Sequence, residues 1–435
     1  MKALHRNLRL LCVLLYIGAA AAGAVAASAL DASAVPGTSA VPGNSAVSDT
    51  PTDTAPIVVV LSWDGVRHDY PALGNYPALQ RMAREGVRAG RLLPVFPSAT
   101  FPGHVSMATG TYPDRHGIVD NRFFDAVRGY YRDRSDASWI EAEPVWIAAE
   151  RQGVPAATYF WVGSETDWRG RGTRYRIAPY DSSVSEAAKA AQIVAWLGLP
   201  EAERPRLIMS YWSGTDDVGH DRGPASGRLP AKMATQDAAL AEVLKGIDAL
   251  GLWPRTTLLV VSDHGMTASG KYLDVQGALA DAGVGARIAG SVVAEVYVDN
   301  PEQVGAAGAV LKAVLAEVTG ARVHAREGVP AELRISHPLR SGDWLVILPP
   351  PWTLSRPAGW AGVLWSAAYA LGWDYGGHGY DAQLPDMAGI FFAMGRGVPA
   401  DLTLDEVRQI DLAATVSRLL NIEPPASSEG QPMWQ

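Results

Sequence analysis

Three short apolar runs, each leading straight into acidic residues, limit what this chain can fold into. IVVVLS at 57–62 carries no polar alternation and stops at Trp63-Asp64-Gly65. LIMSYW at 207–212 and LLVVS at 258–262 repeat the pattern, with Asp216 and the pair Asp263-His264 just beyond them. Runs of this kind suit strands covered on both faces. Cover is available in PALQRMAREG from Pro77, helical in spacing and closed by glycine, and in AKMATQDAALAEVLKGIDAL at 231–250. MAGIFFAMG at 387–395 reads as a late core strand. The fold class is therefore α/β, a mostly parallel central sheet covered by helices. Regularity lapses from about 280 to 370, where VVAEVYVD, LRIS and WLVILP predict a small inserted strand-rich subdomain. Ligands of open α/β sheets bind beyond the carboxyl ends of the strands, which is where Asp64, Asp216 and Asp263 fall.

The start of the chain reads as targeting and tether. Lys2, Arg6 and Arg9 precede an apolar run from Leu10 to about Ala27, and small residues follow to Ala34, the order of a secretory signal peptide over 1–34. That run is also near the lower length limit for crossing a bilayer, so an uncleaved anchor is the competing reading. Residues 35–56 hold VPGTSA, VPGNSA and SDTPTDTAP, with almost nothing to bury, and read as a flexible linker. One main domain is expected over 57–425, its smaller subdomain at about 280–370, followed by a tail at 426–435. Cys12 is the only cysteine, so an exported chain has no thiol for a disulfide, a metal or a nucleophile. Residues 1–34 hold three of the 37 basic and one of the 45 acidic residues, and their loss takes the formal charge from −8 to −10. Such a balance argues against a stable nucleic-acid partner or an anionic membrane surface. The expected location is secreted or periplasmic, with no membrane contact once the signal is cleaved.

Five segments carry chemistry: SWDGVR at 62–67, SATFPGH at 98–104, GTDDVGHDRGP at 214–224, VVSDHGM at 260–266 and GGHGYD at 376–381. They offer Asp64, Asp216, His220, Asp263, His264 and His378 as ligands, and carboxylate oxygen with imidazole nitrogen suits zinc or a similar divalent ion. Six ligands are too many for one tetrahedral site, which implies more than one ion. Asp216 and His220 are four apart and share a face on a helical turn. Pro102 is placed for the first turn of a helix, which puts Thr100 at or just before its N-terminus, where free N–H groups favour an anion. Alone, Thr100 reads as an N-cap; beside the ligands it reads as a hydroxyl that a metal ion makes reactive.

These segments, in this order, resemble the nucleotide pyrophosphatase/phosphodiesterase (type I phosphodiesterase) family of the alkaline phosphatase superfamily. The likeness runs from about Ile57 to Arg396 and includes LSWDGVRHDYPALGNYPALQRMAREGV, FPSATFPGHVSMATGTYPDRHGIVDN, EPVWIAAERQG, FWVGSE and HGYDAQLPDMAGIFFAMG. The resemblance implies an alkaline-phosphatase-like sheet and makes 57–425 a catalytic phosphodiesterase domain. It implies two Zn2+ ions, other divalent ions being possible: Asp216, His220 and His378 would hold one, and Asp64, Asp263 and His264 the other, with Thr100 as its fourth neighbour. It implies that Asn121 donates to a nonbridging phosphate oxygen and that Phe101 lines the substrate pocket and can stack on a nucleobase. The implied activity is hydrolysis of phosphodiester or pyrophosphate bonds in nucleotides or related small diesters through a phosphothreonine intermediate. Two departures stand out: TFPGH where the family commonly has TFPNH, and WVGSE at 161–165 where it usually has WPGSE. No arginine adjoins Thr100, which favours diesters over monoesters; Arg67 and Arg115 are candidates by sequence proximity only. The alternatives are a phosphomonoesterase on the same two-metal core and a metal-stabilised binding protein without turnover.

Overall fold

The computed structural model of the chain describes residues 55–434. The signal-peptide reading, and all of the linker reading except residues 55 and 56, lie outside the described residues. Among the described residues no helix is long and apolar enough to cross a membrane.

Eight strands form the central sheet: β1 Ile57–Trp63, β2 Gly86–Leu93, β3 Ala156–Tyr159, β4 Tyr175–Ile177, β5 Leu207–Trp212, β6 Thr256–Val261, β7 Gly389–Gly395 and β8 Leu402–Arg408. Their spatial order is β8-β2-β7-β6-β1-β5-β3-β4. β1 lies at the centre, Val59 opposite Ile208 on one side and Leu258 on the other, both in parallel register. β7, the MAGIFFAMG strand, is the one reversed member, antiparallel to β6 and β2.

The lack of alternation in β1 has a direct cause. Ile57, Val59, Leu61 and Trp63 enter one core and Val58 and Val60 enter another, all fully buried. Period-two geometry sends successive side chains to opposite faces, and helices cover both. The Leu229–Leu250 helix buries Leu229, Met233, Leu240, Val243 and Ile247 on one face, a 3.6-residue stripe. Its Asp237 accepts from the N–H groups of Ala78 and Leu79 at 3.1 and 2.9 Å, satisfying first-turn donors of the Pro77–Glu85 helix. The Thr100–Thr109, Val145–Arg151 and Asp411–Leu420 helices cover the other face.

Within 280–370 a four-stranded antiparallel sheet forms in the order 286–290, 293–298, 344–347, 322–325, over its own core of Val296, Leu311, Trp344 and Val346. VVAEVYVD and WLVILP supply the middle strands, as expected. LRIS does not: Leu333 ends a 3-10 turn and Arg334 is left-handed at φ 51°, its guanidinium held by Asp114 and Glu429. RVHA at 322–325 takes the edge position instead. The segment expected as a tail packs down, because Glu429 binds Arg334 and Trp434, only 5% exposed, closes the core beside Phe391.

Candidate active site

The carboxyl ends of β1, β5 and β6 bring the acids together. Asp64 follows β1 directly, with its N–H on the Trp212 carbonyl at 3.0 Å. Gly65 turns the chain at φ 66°, and a Cβ there would stand 2.9 Å from Asp216 Cα, so only glycine allows the two loops to approach this closely. Asp216 and His220 lie on the Asp216–Arg222 helix, and His378 follows the Tyr375–Gly377 strand.

Two triplets result, Asp64/Asp263/His264 and Asp216/His220/His378, each with its ligand atoms within 4.8 Å of one another. In the first, His264 Nε2 is 3.4 Å from Asp64 Oδ1 and 3.3 Å from Asp263 Oδ2. In the second, Asp216 Oδ1 is 3.4 Å from His220 Nε2 and 3.7 Å from His378 Nε2. The imidazoles of His264 and His378 stack with centroids 3.6 Å apart, so the triplets are neighbours.

The donor chemistry fits cations. Asp64 Oδ1, Asp263 Oδ2 and Asp216 Oδ1 are buried with no hydrogen-bond partner, while Asp64 Oδ2 accepts from the Tyr211 hydroxyl at 2.6 Å and Asp263 Oδ1 from the Gly65 and His264 N–H groups. The oxygens facing each triplet are thus the orphaned ones, a costly arrangement without a positive charge. All three histidines place Nδ1 on a backbone carbonyl, His264 on Gly265 at 2.9 Å, His220 on Gly376 at 3.1 Å and His378 on Ser98 at 3.3 Å. A carbonyl only accepts, so Nδ1 carries the proton and the Nε2 lone pair is presented to the triplet. Without ions, burial, then the Asp263 and Asp216 charges, hold the Asp64 carboxyl well above the usual range. Burial also raises Asp216, and burial with the facing His264 and His220 holds His378 well below the usual imidazole value.

Thr100 opens its helix, but Ala99 is the N-cap and has no side-chain acceptor for the end. The threonine hydroxyl instead faces the first triplet, Oγ1 3.2 Å from His264 Nε2. Its carbonyl accepts from His104 Nδ1 at 2.8 Å, and His104 Nε2 takes the Ser62 hydroxyl at 2.8 Å, which ties the Thr100 turn to β1. The helix end offers fewer free donors than its position suggested. Phe101 N–H is taken by Asn121 Oδ1 at 2.9 Å, Pro102 has none and Gly103 N–H returns to Ala99. That bond fixes the Asn121 amide so that its Nδ2 remains the donating end. Phe101 is half-buried and packs edge-on to Tyr131 at 6.3 Å.

The family profile described as type I phosphodiesterase / nucleotide pyrophosphatase matches residues 58–381. The chain belongs to that family. Among curated relatives, an uncharacterized pyrophosphatase/phosphodiesterase of Schizosaccharomyces pombe is 36% identical over 217 residues, 48% of this chain and 44% of that protein. Ectonucleotide pyrophosphatase/phosphodiesterase family member 1 of Rattus norvegicus is 27% identical over 394 residues, 86% of this chain and 42% of the relative. The chain thus spans less than half the length of these relatives. Among solved structures, human ectonucleotide pyrophosphatase/phosphodiesterase 5 superimposes with a TM-score of 0.76 at 26% identity, covering 86% of this chain and 97% of that one. The murine counterpart, an inactive threonine-to-alanine form in complex with AMP, gives 0.75 at 25% identity, covering 85% of this chain and 96% of that one.

For this phosphodiesterase-family chain, neither arginine candidate is seen bonded to the two triplets. Arg67 is spent on Asp69 at 2.6 Å and the Met266 carbonyl at 3.1 Å, and Arg115 is exposed. Two contacts escaped the sequence reading. The Tyr211 hydroxyl donates to Asp64 Oδ2, and Tyr180, 43% exposed, stands edge-on to Tyr211 at 5.5 Å. Only the position of Tyr211 at the carboxyl end of β5 carried a signal.

Proposed function

We propose that this chain is a two-metal hydrolase of phosphodiester or pyrophosphate bonds that uses Thr100 as nucleophile. The observation that carries the reading is the Thr100 hydroxyl 3.2 Å from His264 Nε2, at the edge of a triplet whose inward carboxylate oxygens are orphaned. Asp64, Asp263 and His264 would hold one Zn2+ and Asp216, His220 and His378 a second. When bound, such ions supply Lewis acidity, lowering the pKa of a hydroxyl or water and offsetting charge on entering and leaving oxygens.

The residues do the rest. Thr100 Oγ forms a bond to phosphorus as the bond to the leaving oxygen breaks, and the hydroxyl proton ends on the departing alcohol or phosphate. Water then forms a bond to phosphorus, the Thr100 Oγ–P bond breaks, and the threonine regains a proton. Asn121, held by Phe101 N–H, presents Nδ2 to a nonbridging oxygen, and His104 keeps the Thr100 turn in place. Phe101 and the exposed Tyr180 provide aromatic surface for the retained group. A nucleotide is the substrate class best supported, given AMP in the murine relative. The relatives' description as ectonucleotide enzymes supports action outside the cytoplasm.

Replacing Thr100 with alanine tests the nucleophile. Turnover of an aryl phosphodiester should fall by at least about 10³-fold, comparable to loss of a covalent nucleophile elsewhere, with two ions still bound per chain. Full activity in T100A would dismiss the threonine mechanism.

A further inference from the structure

Gln409 lies between β8 and the Asp411–Leu420 helix, far in sequence from all the segments above, and is 1% exposed. Its Oε1 accepts from Val95 N–H at 3.0 Å, and its Nε2 donates to the Asp263 carbonyl and, at 3.4 Å, to that of Ser262. Its own N–H is fixed on the Leu93 carbonyl at 3.1 Å. One carboxamide therefore joins two loops that are far apart in the sequence. Val95 leads through residues 96–99 into the Thr100 turn, and Ser262-Asp263-His264 leaves β6 with two proposed ligands.

Around Asp263 the backbone pairing skips: Ser262 N–H bonds the Ile390 carbonyl at 3.1 Å, and the next such bond is Gly265 N–H to the Met387 carbonyl at 2.8 Å. Between these two bonds the Asp263 carbonyl is taken by the Gln409 amide. Gly103 packs closely against it. A Cβ there would lie 3.1 Å from the Asp263 carbonyl oxygen, 3.3 Å from Asp263 Cβ and 3.4 Å from Gln409 Nε2. The position where the chain departs from TFPNH is thus the position that borders the Gln409 amide.

We propose that Gln409 is a positioning residue, which sets the separation between Thr100 and the Asp64/Asp263/His264 site by holding the Asp263 carbonyl and the Val95 N–H with one amide. The inference rests on the two-metal reading, and its test separates from it. Gln409→Glu keeps size and the acceptor for Val95 but cannot donate to the Asp263 and Ser262 carbonyls when ionised; Gln409→Met keeps size and loses all three side-chain bonds. Zinc binding would be titrated in chelator-buffered solution for wild type and both variants, with diester kinetics at saturating zinc. Outer-shell partners of metal ligands typically govern about 10–100-fold in affinity. We expect one of the two ions to weaken by that factor in both variants, the other to stay at wild-type affinity, and kcat to fall with KM within about twofold.

The unaffected second ion distinguishes positioning from general loosening of the fold, which would weaken both. Unchanged affinity at both sites with unchanged kcat in Q409E overturns the proposal, as does equal weakening of both ions. Should Q409M fail to fold, Q409E decides alone, and if Q409E also fails to fold Gln409 is a folding residue and the proposal is overturned. A wild type that hydrolyses no phosphodiester while Q409E still loses one ion removes the catalytic reading and leaves the positioning role standing.

Discussion

The bond from the Tyr211 hydroxyl to Asp64 Oδ2 can be removed with little else disturbed. At 2.6 Å it is short, and burial, then the Asp64 charge, push the phenol well above its usual pKa, so it stays the donor. Tyr211→Phe keeps the ring against His104 at 5.3 Å and Tyr180 at 5.5 Å. It leaves Asp64 with no protein donor on Oδ2 beside the already orphaned Oδ1. A hydrogen bond to a charged acceptor contributes about 1.5–3 kcal/mol, and loss of a buried partner reaches the upper part of that range. If Asp64 is a metal ligand, most of that loss appears as weaker binding, because the freed carboxylate can turn away from its triplet. At about 1.4 kcal/mol per factor of ten, the expected weakening is roughly 10- to 100-fold for one ion. The assay is zinc titration of metal-free protein under chelator-buffered conditions, with circular dichroism as the check on folding. Both ions retained at wild-type affinity in folded Y211F would refute the assignment of Asp64 as a ligand.

Asn121→Ala removes one preorganised donor and should lower kcat by roughly 10²–10³-fold, with zinc content unchanged; an unaltered kcat eliminates the contact. In the ion-free protein Asp64 and Asp216 are raised above 3.8, so the folded state binds protons that the unfolded chain has released. Its stability is then greatest below the unfolded value and is lost as pH rises through the folded pKa values. Bound ions reverse this by replacing the protons, so the gain in Tm on adding zinc should grow from about pH 5 to about pH 8; a gain independent of pH would contradict the carboxylate ligands.

What the sequence made legible was whatever is local. Asp64, Asp216 and Asp263 each follow a strand whose unbroken apolar run announces burial on both faces, and Gly65 marks the turn that lets the first two meet. The partition of six ligands into two triplets came from the resemblance, since the chain order of Asp64, Asp216, His220, Asp263, His264 and His378 does not encode it. Contacts made by residues of common type were not legible. Tyr211 and Gln409 look like packing and loop residues until the sheet order places them beside Asp64 and Asp263. LRIS misled because its apolar–polar alternation is local, whereas the left-handed Arg334 is imposed by Asp114 and Glu429, 220 and 95 residues away. The same ion pairs explain why 426–434 packs although its composition reads as a tail.

Charge balance argues for the kind of ester. With ions bound, Asp64, Asp263 and Asp216 as carboxylate ligands would bring three negative charges to the two triplets, and histidines ligating through Nε2 with Nδ1 on a carbonyl would add none. Two divalent ions would then leave one net positive charge, with the Thr100 proton counted on the site. A phosphodiester monoanion cancels it, whereas a monoester dianion leaves one negative charge to be met by some further cation. Neither arginine candidate meets it, because Arg67 is held by Asp69 and the Met266 carbonyl, and Arg115 is exposed. One unmatched charge at 4 Å is worth about 4 kcal/mol at an effective dielectric near 20. Allowing for solvent at the open side of His220, whose side chain is 43% exposed, the discrimination should be on the order of a hundredfold. Paired aryl substrates differing only in the second ester bond measure it as a ratio of kcat/KM at fixed zinc. A ratio near one, or one favouring the monoester, would mean that a positive group reaches the phosphate from elsewhere, and the charge argument would fail even with Thr100 still the nucleophile.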